Sequence, residues 1–142
     1  MNQRGFATLE VILMVMVIGI LASIAVPRFT AVTTAANTAK VQSDLATLET
    51  AAAIYAMENG NSKTPLTITK DLEPYLKDAS NIKPPKGDVY NTEGTNGILA
   101  VGNNDYAVAK DGNEYRATLE GKKADTFKKS SSGTTSGGTG GN

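Results

Sequence analysis

The feature that most constrains this chain is an apolar run near its N-terminus, VILMVMVIGILASIAV over residues 11–26, in which Ser23 is the only polar side chain. A helix over residues 6–26 rises about 1.5 Å per residue and is about 30 Å long, the thickness of a bilayer's hydrocarbon core. The run therefore predicts one membrane-spanning helix. The mean hydropathy of the whole chain is only −0.20, so the rest of the chain must form a polar domain with a small core.

One acidic residue, Glu10, interrupts the apolar segment. A carboxylate at membrane depth is costly unless a partner neutralises it. Cleavage between Gly5 and Phe6 creates an α-amino group four residues before Glu10. Positions four apart share a helix face, so the ammonium and the carboxylate can pair within one subunit or between neighbours. We therefore predict that Glu10 is a functional residue.

The Gly5-Phe6 junction, Glu10 at the fifth position after it and the apolar run resemble the class III signal of type IV pilins and pseudopilins. The resemblance implies cleavage after Gly5 by a prepilin peptidase, N-methylation of Phe6, and an assembly role for Glu10 and Phe6. It also implies that Gly19 and Pro27 bracket a helix section that loses order when subunits pack. A simple kink at Pro27, where the helix leaves the membrane, is the alternative.

Three other interpretations of the N-terminus compete. A plain signal anchor has the same hydropathy but no need of Glu10. A secretory signal is the sharper rival, because Ser23-Ile24-Ala25 resembles a small-x-small cleavage site. Cleavage after Ala25 would give a secreted soluble binding protein. A buried core helix is disfavoured, since no other segment is apolar enough to surround it.

The helix is expected to continue beyond the membrane as an amphipathic stalk. Five positions spaced by three or four residues form one apolar stripe: Val41, Leu45, Leu48, Ala52 and Tyr55. Asn59-Gly60 is a typical helix stop. Residues 39–60 also resemble the end of the stalk helix in major pilins and pseudopilins. The continuation at residues 61–65 lacks the Tyr-Pro dipeptide that is usual in major pseudopilins.

Three short strands are predicted in the remaining chain, at residues 98–101, 106–109 and 115–119, with a turn at Asp111-Gly112. Residues 84–87 are rich in proline and glycine and are expected to form a loop. The predicted fold class is α+β, with a long N-terminal helix and a small antiparallel sheet of three or four strands covering the stripe on its C-terminal half. This is the fold that the resemblance to type IV pilins implies.

The expected organisation has five parts. They are a leader (residues 1–5), a transmembrane helix (6–27), an amphipathic stalk helix (28–60), a globular head (61–129) and a flexible tail (130–142). The tail contains only Ser, Gly, Thr and Asn, so it has no charge and nothing to bury. We expect it to lie on the filament exterior.

Composition excludes several functions. The chain has 14 basic and 14 acidic residues, a balance that gives no overall field to attract nucleic acid or anionic lipid. Histidine and cysteine are absent, and no catalytic constellation is present, so we expect neither an enzyme nor a cofactor. Four lysines form a small basic patch, interpreted as solvated surface: Lys122, Lys123, Lys128 and Lys129.

Calcium is the one metal to weigh, because the resemblance includes major pseudopilins that bind it in C-terminal loops. Four acids are candidate ligands: Asp105, Asp111, Glu114 and Asp125. Their spacing does not match that loop, so no metal site is assigned and calcium stays an alternative.

The sequence thus predicts a major pilin that polymerises into a type IV pilus-like filament; the alternative is the major pseudopilin of a type II secretion system. Its partners would be further copies of itself, a membrane prepilin peptidase and methylase, and an assembly platform. It would span the inner membrane once before assembly, and then be extracellular or periplasmic.

Overall fold

The computed structural model describes residues 3–131, with side chains from residue 5 onward. One helix, α1 (Gln3–Asn59), contains 57 of the 142 residues. At about 1.5 Å per residue it is about 85 Å long. It ends where Asn59-Gly60 predicts, because Gly60 adopts a positive φ of 78° and its N–H donates to the carbonyl of Ala56.

The described residues after Gly60, which we call the head, pack on the C-terminal half of α1. The strands of the head are β1 (Gly87–Thr95), β2 (Ile98–Val101), β3 (Ala107–Asp111), β4 (Glu114–Leu119) and β5 (Lys122–Lys123). They form two antiparallel sheets, of order β1-β2 and β3-β4-β5. Short 3-10 helices lie at Glu73–Tyr75, Ala79–Asn81 and Ala124–Thr126. The α+β arrangement of a long helix with antiparallel strands on its distal half is confirmed.

The predicted hairpin is also confirmed, since β3 pairs with β4 and the register ends at Asp111 opposite Glu114. Gly112 provides the positive φ of 66° that so tight a turn requires. The core joins the helix stripe to the sheets. Fully buried members from α1 are Val41, Leu45, Leu48 and Ala52; from the head they include Leu72, Val89, Ala117, Leu119 and Phe127.

Two expectations for the head are wrong. A single sheet of three or four strands is predicted, whereas the described residues form two sheets with five strands in all. Gly87, expected in a loop, begins β1 and pairs with Val101. The sequence does not indicate β1, because the buried positions of this strand are Val89 and the polar Asn91. The register of β1 is also interrupted between Tyr90 and Thr95.

Candidate functional site

The first half of α1 is exposed. Every side chain from residue 5 to residue 33 is exposed except Ala25, which is half-buried. Among these side chains are large apolar groups such as Phe6, Ile18, Val26 and Phe29, the last of them 71% exposed. This is also the one helix in the described residues that is long and apolar enough to cross a membrane. The head leaves this surface free, so another molecule or a bilayer must cover it.

Glu10 lies on this surface and lines a shallow groove with Leu13, Met14, Val17 and Ile18. Apart from the carboxyl group the groove is apolar. Phe6 is 77% exposed and lies one helical turn before Glu10. Helical spacing therefore places both residues of the predicted pair along one side of α1.

Gly19 and Pro27 lie inside α1, which continues as α-helix through both positions. A Cβ added at Gly19 would meet nothing within 4 Å. Pro27 lacks the N–H that would bond the carbonyl of Ser23. Nearby hydroxyls bond other carbonyls of the same turns, Ser23 to Ile20 at 2.7 Å and Thr30 to Val26 at 3.3 Å.

The head begins abruptly on α1 at residues 34–38. The buried Thr38 hydroxyl accepts the N–H of Tyr90 at 2.8 Å and donates to the carbonyl of Thr34 at 2.6 Å. The Asn37 amide donates to the carbonyls of Lys86 and Asp88, at 3.4 and 3.2 Å. These bonds tie the start of β1 to the helix turn at which exposure ends.

A second polar anchor lies one to two turns further along. The Tyr106 hydroxyl donates to Oδ2 of Asp44 at 2.7 Å, and Lys40 Nζ contacts the same oxygen at 2.5 Å. Burial, and then the hydrogen bond to this anion, raise the pKa of Tyr106 well above its ordinary value near 10. Asp44 therefore holds β3 and its flanking residues to α1.

Three tyrosines meet at the end of α1: Tyr55 from the helix, and Tyr75 and Tyr115 from the head. The ring of Tyr55 makes edge contacts with Tyr75 and Tyr115, at centroid distances of 6.2 and 6.4 Å. The Tyr75 hydroxyl donates to Glu58 at 2.5 Å, and this hydrogen bond raises the pKa of Tyr75. This cluster is structural, since it fixes the 3-10 helix Glu73–Tyr75 on the helix end.

The four acids weighed for calcium do not gather into one site. Asp111 pairs with Lys123 at 2.5 Å, and this contact lowers the pKa of Asp111. Glu114 pairs with Arg116 at 3.1 Å. Within residues 3–131 no group of three or more acidic or other ligating side chains is arranged to hold a metal ion.

The four lysines expected to form one basic patch are divided by the fold. Lys122 pairs with Glu93 at 2.7 Å, and Lys123 pairs with Asp111. Lys128 and Lys129 are exposed and have no ion pair within the described residues. Sequence reasoning missed the polar anchors as well, because Asn37, Thr38 and Asp44 find partners that lie far along the chain.

Comparison with known proteins gives relatives of two kinds. The type II secretion system core protein G of Escherichia coli is 36% identical over 93 residues, which are 66% of this chain and 61% of that protein. The protein of the same name in Klebsiella michiganensis is 38% identical over 63 residues, 44% of each chain. The type IV narrow pilus major component PilA5 of Thermus thermophilus is 40% identical over 58 residues, 41% of this chain and 50% of that protein.

No family model matches the chain, and no solved structure matches it. The alignments cover between 44% and 61% of these three relatives' own length. The resemblance to pilins and pseudopilins, which residues 5–26 indicate, is nevertheless confirmed by relatives of both kinds. The chain is thus similar to proteins of pili and of secretion systems, and its long apolar helix agrees with both.

Proposed function

We propose that this relative of pilins and pseudopilins is a major structural subunit, which polymerises through its N-terminal helix into a type IV pilus-like filament. One observation carries the proposal: α1 leaves the head at residue 33 with apolar side chains exposed on all sides. Water cannot solvate such a helix cheaply, since each large apolar side chain left exposed forgoes about 1.5–3 kcal/mol. A bilayer before assembly, and neighbouring helices after it, are the two environments that suit it.

Leaving the bilayer requires an interaction that lipid does not offer. Lipid chains are as apolar as leucine, so helix packing and polar pairing must drive assembly. In our proposal Glu10 provides that pairing. Removal of residues 1–5 leaves the Phe6 amine at the positive end of the helix dipole, four residues before the carboxylate. Pairing of the Phe6 amine with Glu10 of a neighbouring subunit then neutralises both charges and fixes the axial stagger.

The same proposal names the partners. A membrane prepilin peptidase would cut after Gly5 and methylate Phe6, and an assembly platform would extract the subunit from the inner membrane. The section between Gly19 and Pro27 would lose helical order as subunits pack. The chain itself would be a substrate of these enzymes and carry out no catalysis. It would bind no cofactor, and titration of the purified protein with calcium tests the alternative of a calcium site.

Replacement of Glu10 tests the assembly role. Glu10→Ala should leave the subunit processed and inserted in the membrane but abolish filaments, because the Phe6 amine loses its partner. Glu73→Ala, which removes an exposed acid of the head, is the matched control and should assemble normally. Filaments would be counted by electron microscopy. Normal filaments from Glu10→Ala would refute the register role of this residue.

Mass spectrometry of the mature N-terminus tests processing independently. The proposal expects a chain that begins with N-methylated Phe6. A chain that begins at Val26 would instead indicate a secreted soluble protein without the apolar helix. That result would overturn the filament proposal as a whole.

The second candidate is the major pseudopilin of a type II secretion system, a short periplasmic filament. Relatives named type II secretion system core protein G favour it. The absence of the Tyr-Pro continuation after Gly60 and the Ser/Gly/Thr composition of residues 130–142 favour the pilus. Long surface filaments in unmodified cells would support the pilus, and secreted proteins trapped in a deletion strain would support the pseudopilus.

A further inference from the structure

Of the seven lysines without an ion pair in the described residues, four lie at one end of the head. We call this end the head base and define it by residues 37–42 of α1 together with residues 83–88 and 127–129. The four exposed lysines of the head base are Lys83, Lys86, Lys128 and Lys129, and none of them has an ion pair within the described residues. They come from segments about forty residues apart in sequence.

Hydrogen bonds from α1 fix both segments in place. Lys40 Nζ donates to the carbonyl of Lys83 at 2.9 Å, and the Asn37 amide donates to that of Lys86 at 3.4 Å. Gln42 Nε2 donates to the carbonyl of Phe127 at 2.6 Å. Because the Phe127 ring is fully buried, the two lysines that follow it are held near the level of Gln42.

Positive charge exceeds negative charge at the head base. The acidic side chains at or beside the head base are Asp44, Asp88 and Asp105, the last of which lines a cavity together with Lys83. Asp44 is already engaged by Lys40 and by Tyr106. Asp88 and Asp105 are exposed and offset two of the four lysines. Arg28, exposed on the helix between the head and the apolar run, adds to the excess. A chain with no net charge therefore has a positive end.

This end faces the place where the helix leaves the bilayer. Large exposed apolar side chains continue along α1 as far as Val32. Asn37 lies about 8 Å beyond Val32 along the axis, and about 16 Å beyond the end of the run at Val26. The lipid headgroup layer occupies about 5–8 Å of this span. The turn at Asn37, which binds the Lys86 carbonyl, thus lies about 8–11 Å beyond the headgroups, close to the Debye length of about 8 Å. Lys128 and Lys129 follow Phe127, which is bound at Gln42, about 8 Å further along the helix.

We propose that the head base binds the anionic phospholipid headgroups of the membrane that α1 spans. The contact orients the head on the membrane before assembly and is released when the subunit is extracted. It rests on the proposed function, because it needs α1 inserted in a bilayer. Charge complementarity identifies anionic lipid as the partner of the head base, since anionic lipid attracts each basic residue held near the membrane surface.

Fluorescent labelling can test the contact on the full-length chain, because the chain contains no cysteine. One label is placed at Ser130→Cys beside the head base, and another at Ser62→Cys just beyond the distal end of α1. The protein is reconstituted in vesicles of phosphatidylcholine alone or mixed with phosphatidylglycerol, each containing a headgroup quencher. We expect quenching at residue 130 to be at least about twofold greater with phosphatidylglycerol, and to fall in high salt. Quenching at residue 62 should not respond.

Charge reversal identifies the residues responsible. Lys83→Glu/Lys86→Glu should remove the response to phosphatidylglycerol. Lys70→Glu/Lys77→Glu is the matched control: both lysines are exposed, and they flank Tyr75, which contacts the distal end of α1. The control should respond as the unmodified chain does. Thermal unfolding of both variants checks that the head stays folded.

The outcomes separate this inference from the proposed function. Resistance of the chain to alkaline extraction from the vesicles reports insertion of α1 alone. An inserted chain whose quenching is the same in both lipids would overturn the lipid contact and leave the filament proposal standing. A charge reversal that impairs filament formation without changing the lipid response would also overturn it, and would assign the head base to a neighbouring subunit.

Discussion

The two halves of α1 are one continuous helix in opposite environments. Residues 5–33 expose large apolar side chains, while residues 34–59 bury a stripe that includes Val41, Leu45 and Leu48. The distal half is amphipathic because one face meets the head and the other meets solvent. The proximal half is apolar on every face, which suits a bilayer or a bundle of like helices. The same secondary structure thus supports the fold of one subunit at one end and contact with other molecules at the other.

The largest expected effect tests this contrast directly. Leu48→Ala removes a fully buried side chain and should lower the free energy of unfolding of the head by about 2–5 kcal/mol. Leu21→Ala makes the same chemical change on the exposed half, where the side chain is 61% exposed, and should change it by less than about 0.5 kcal/mol. Urea unfolding in detergent micelles measures both. Equal losses in the two variants would contradict the division of the helix.

A smaller effect tests how β1 is joined to the 3-10 helix Ala124–Thr126. Asn91 is fully buried; its amide donates to the Thr126 hydroxyl at 2.9 Å and its carbonyl accepts the N–H of Glu93 at 2.8 Å. Asn91→Ala should lower the free energy of unfolding by about 1–3 kcal/mol, because the Thr126 hydroxyl and the N–H of Glu93 lose their partner. Thr92→Ala, at the exposed neighbour, is the control and should cost less. A neutral Asn91→Ala would show that the hydrogen bonds of this side chain contribute little to the stability of the head.

Alkaline pH should weaken the hold of the head on the distal half. The unfolded chain loses the Tyr106 proton near pH 10, whereas burial keeps it bound to higher pH in the folded chain. The contribution of the protonated Tyr106 to the free energy of unfolding is therefore complete below about pH 10, and it is lost as the pH rises above that value. In Tyr106→Phe the free energy of unfolding should fall less steeply with rising pH, as measured by urea unfolding at several pH values. A variant with the same alkaline slope as the unmodified chain would contradict the assignment.

The smallest expected effect concerns a surface pair on the distal half. Arg116 lies 3.7 Å from Oε2 of Glu49, while Oε1 of Glu49 accepts the N–H of Ala117 at 3.3 Å. Glu49→Gln keeps an acceptor for Ala117 but removes the ion pair, so we expect a loss of about 0–1 kcal/mol that shrinks in salt. Glu49→Ala should cost more, since it leaves the N–H unpaired. Equal losses would mean that the hydrogen bond contributes little.

Local patterns in the sequence predicted much of the fold. The stripe from Val41 to Tyr55 identified the buried face of α1 before any partner for it was known. Asp111-Gly112 identified the β3–β4 hairpin, since few residues tolerate the backbone of so tight a turn. The β1 strand was missed because the buried Asn91 breaks the alternation of apolar and polar residues. That side chain is satisfied by Thr126, a partner that no local pattern reveals.

The candidate site divides in the same way. Glu10 within an apolar run is conspicuous in the sequence because a charge there is costly wherever the helix is placed. The roles of Gly5, Phe6, Gly19 and Pro27 stay predictions until processing and assembly are measured. The head base could not be predicted, because the segments of Lys83 and Lys129 reach the same end of the head only when α1 binds both of them.

The sequence by itself determined that this chain has one long helix, that its first half is too apolar for water, and that an acid near its start needs a partner. These properties depend on composition and spacing within a few turns. The tertiary structure alone decided where along the helix the head begins, which lysines are neutralised, and which end of the head is positive. Those outcomes depend on hydrogen bonds and ion pairs between residues far apart in the chain, which exist only once the chain has folded.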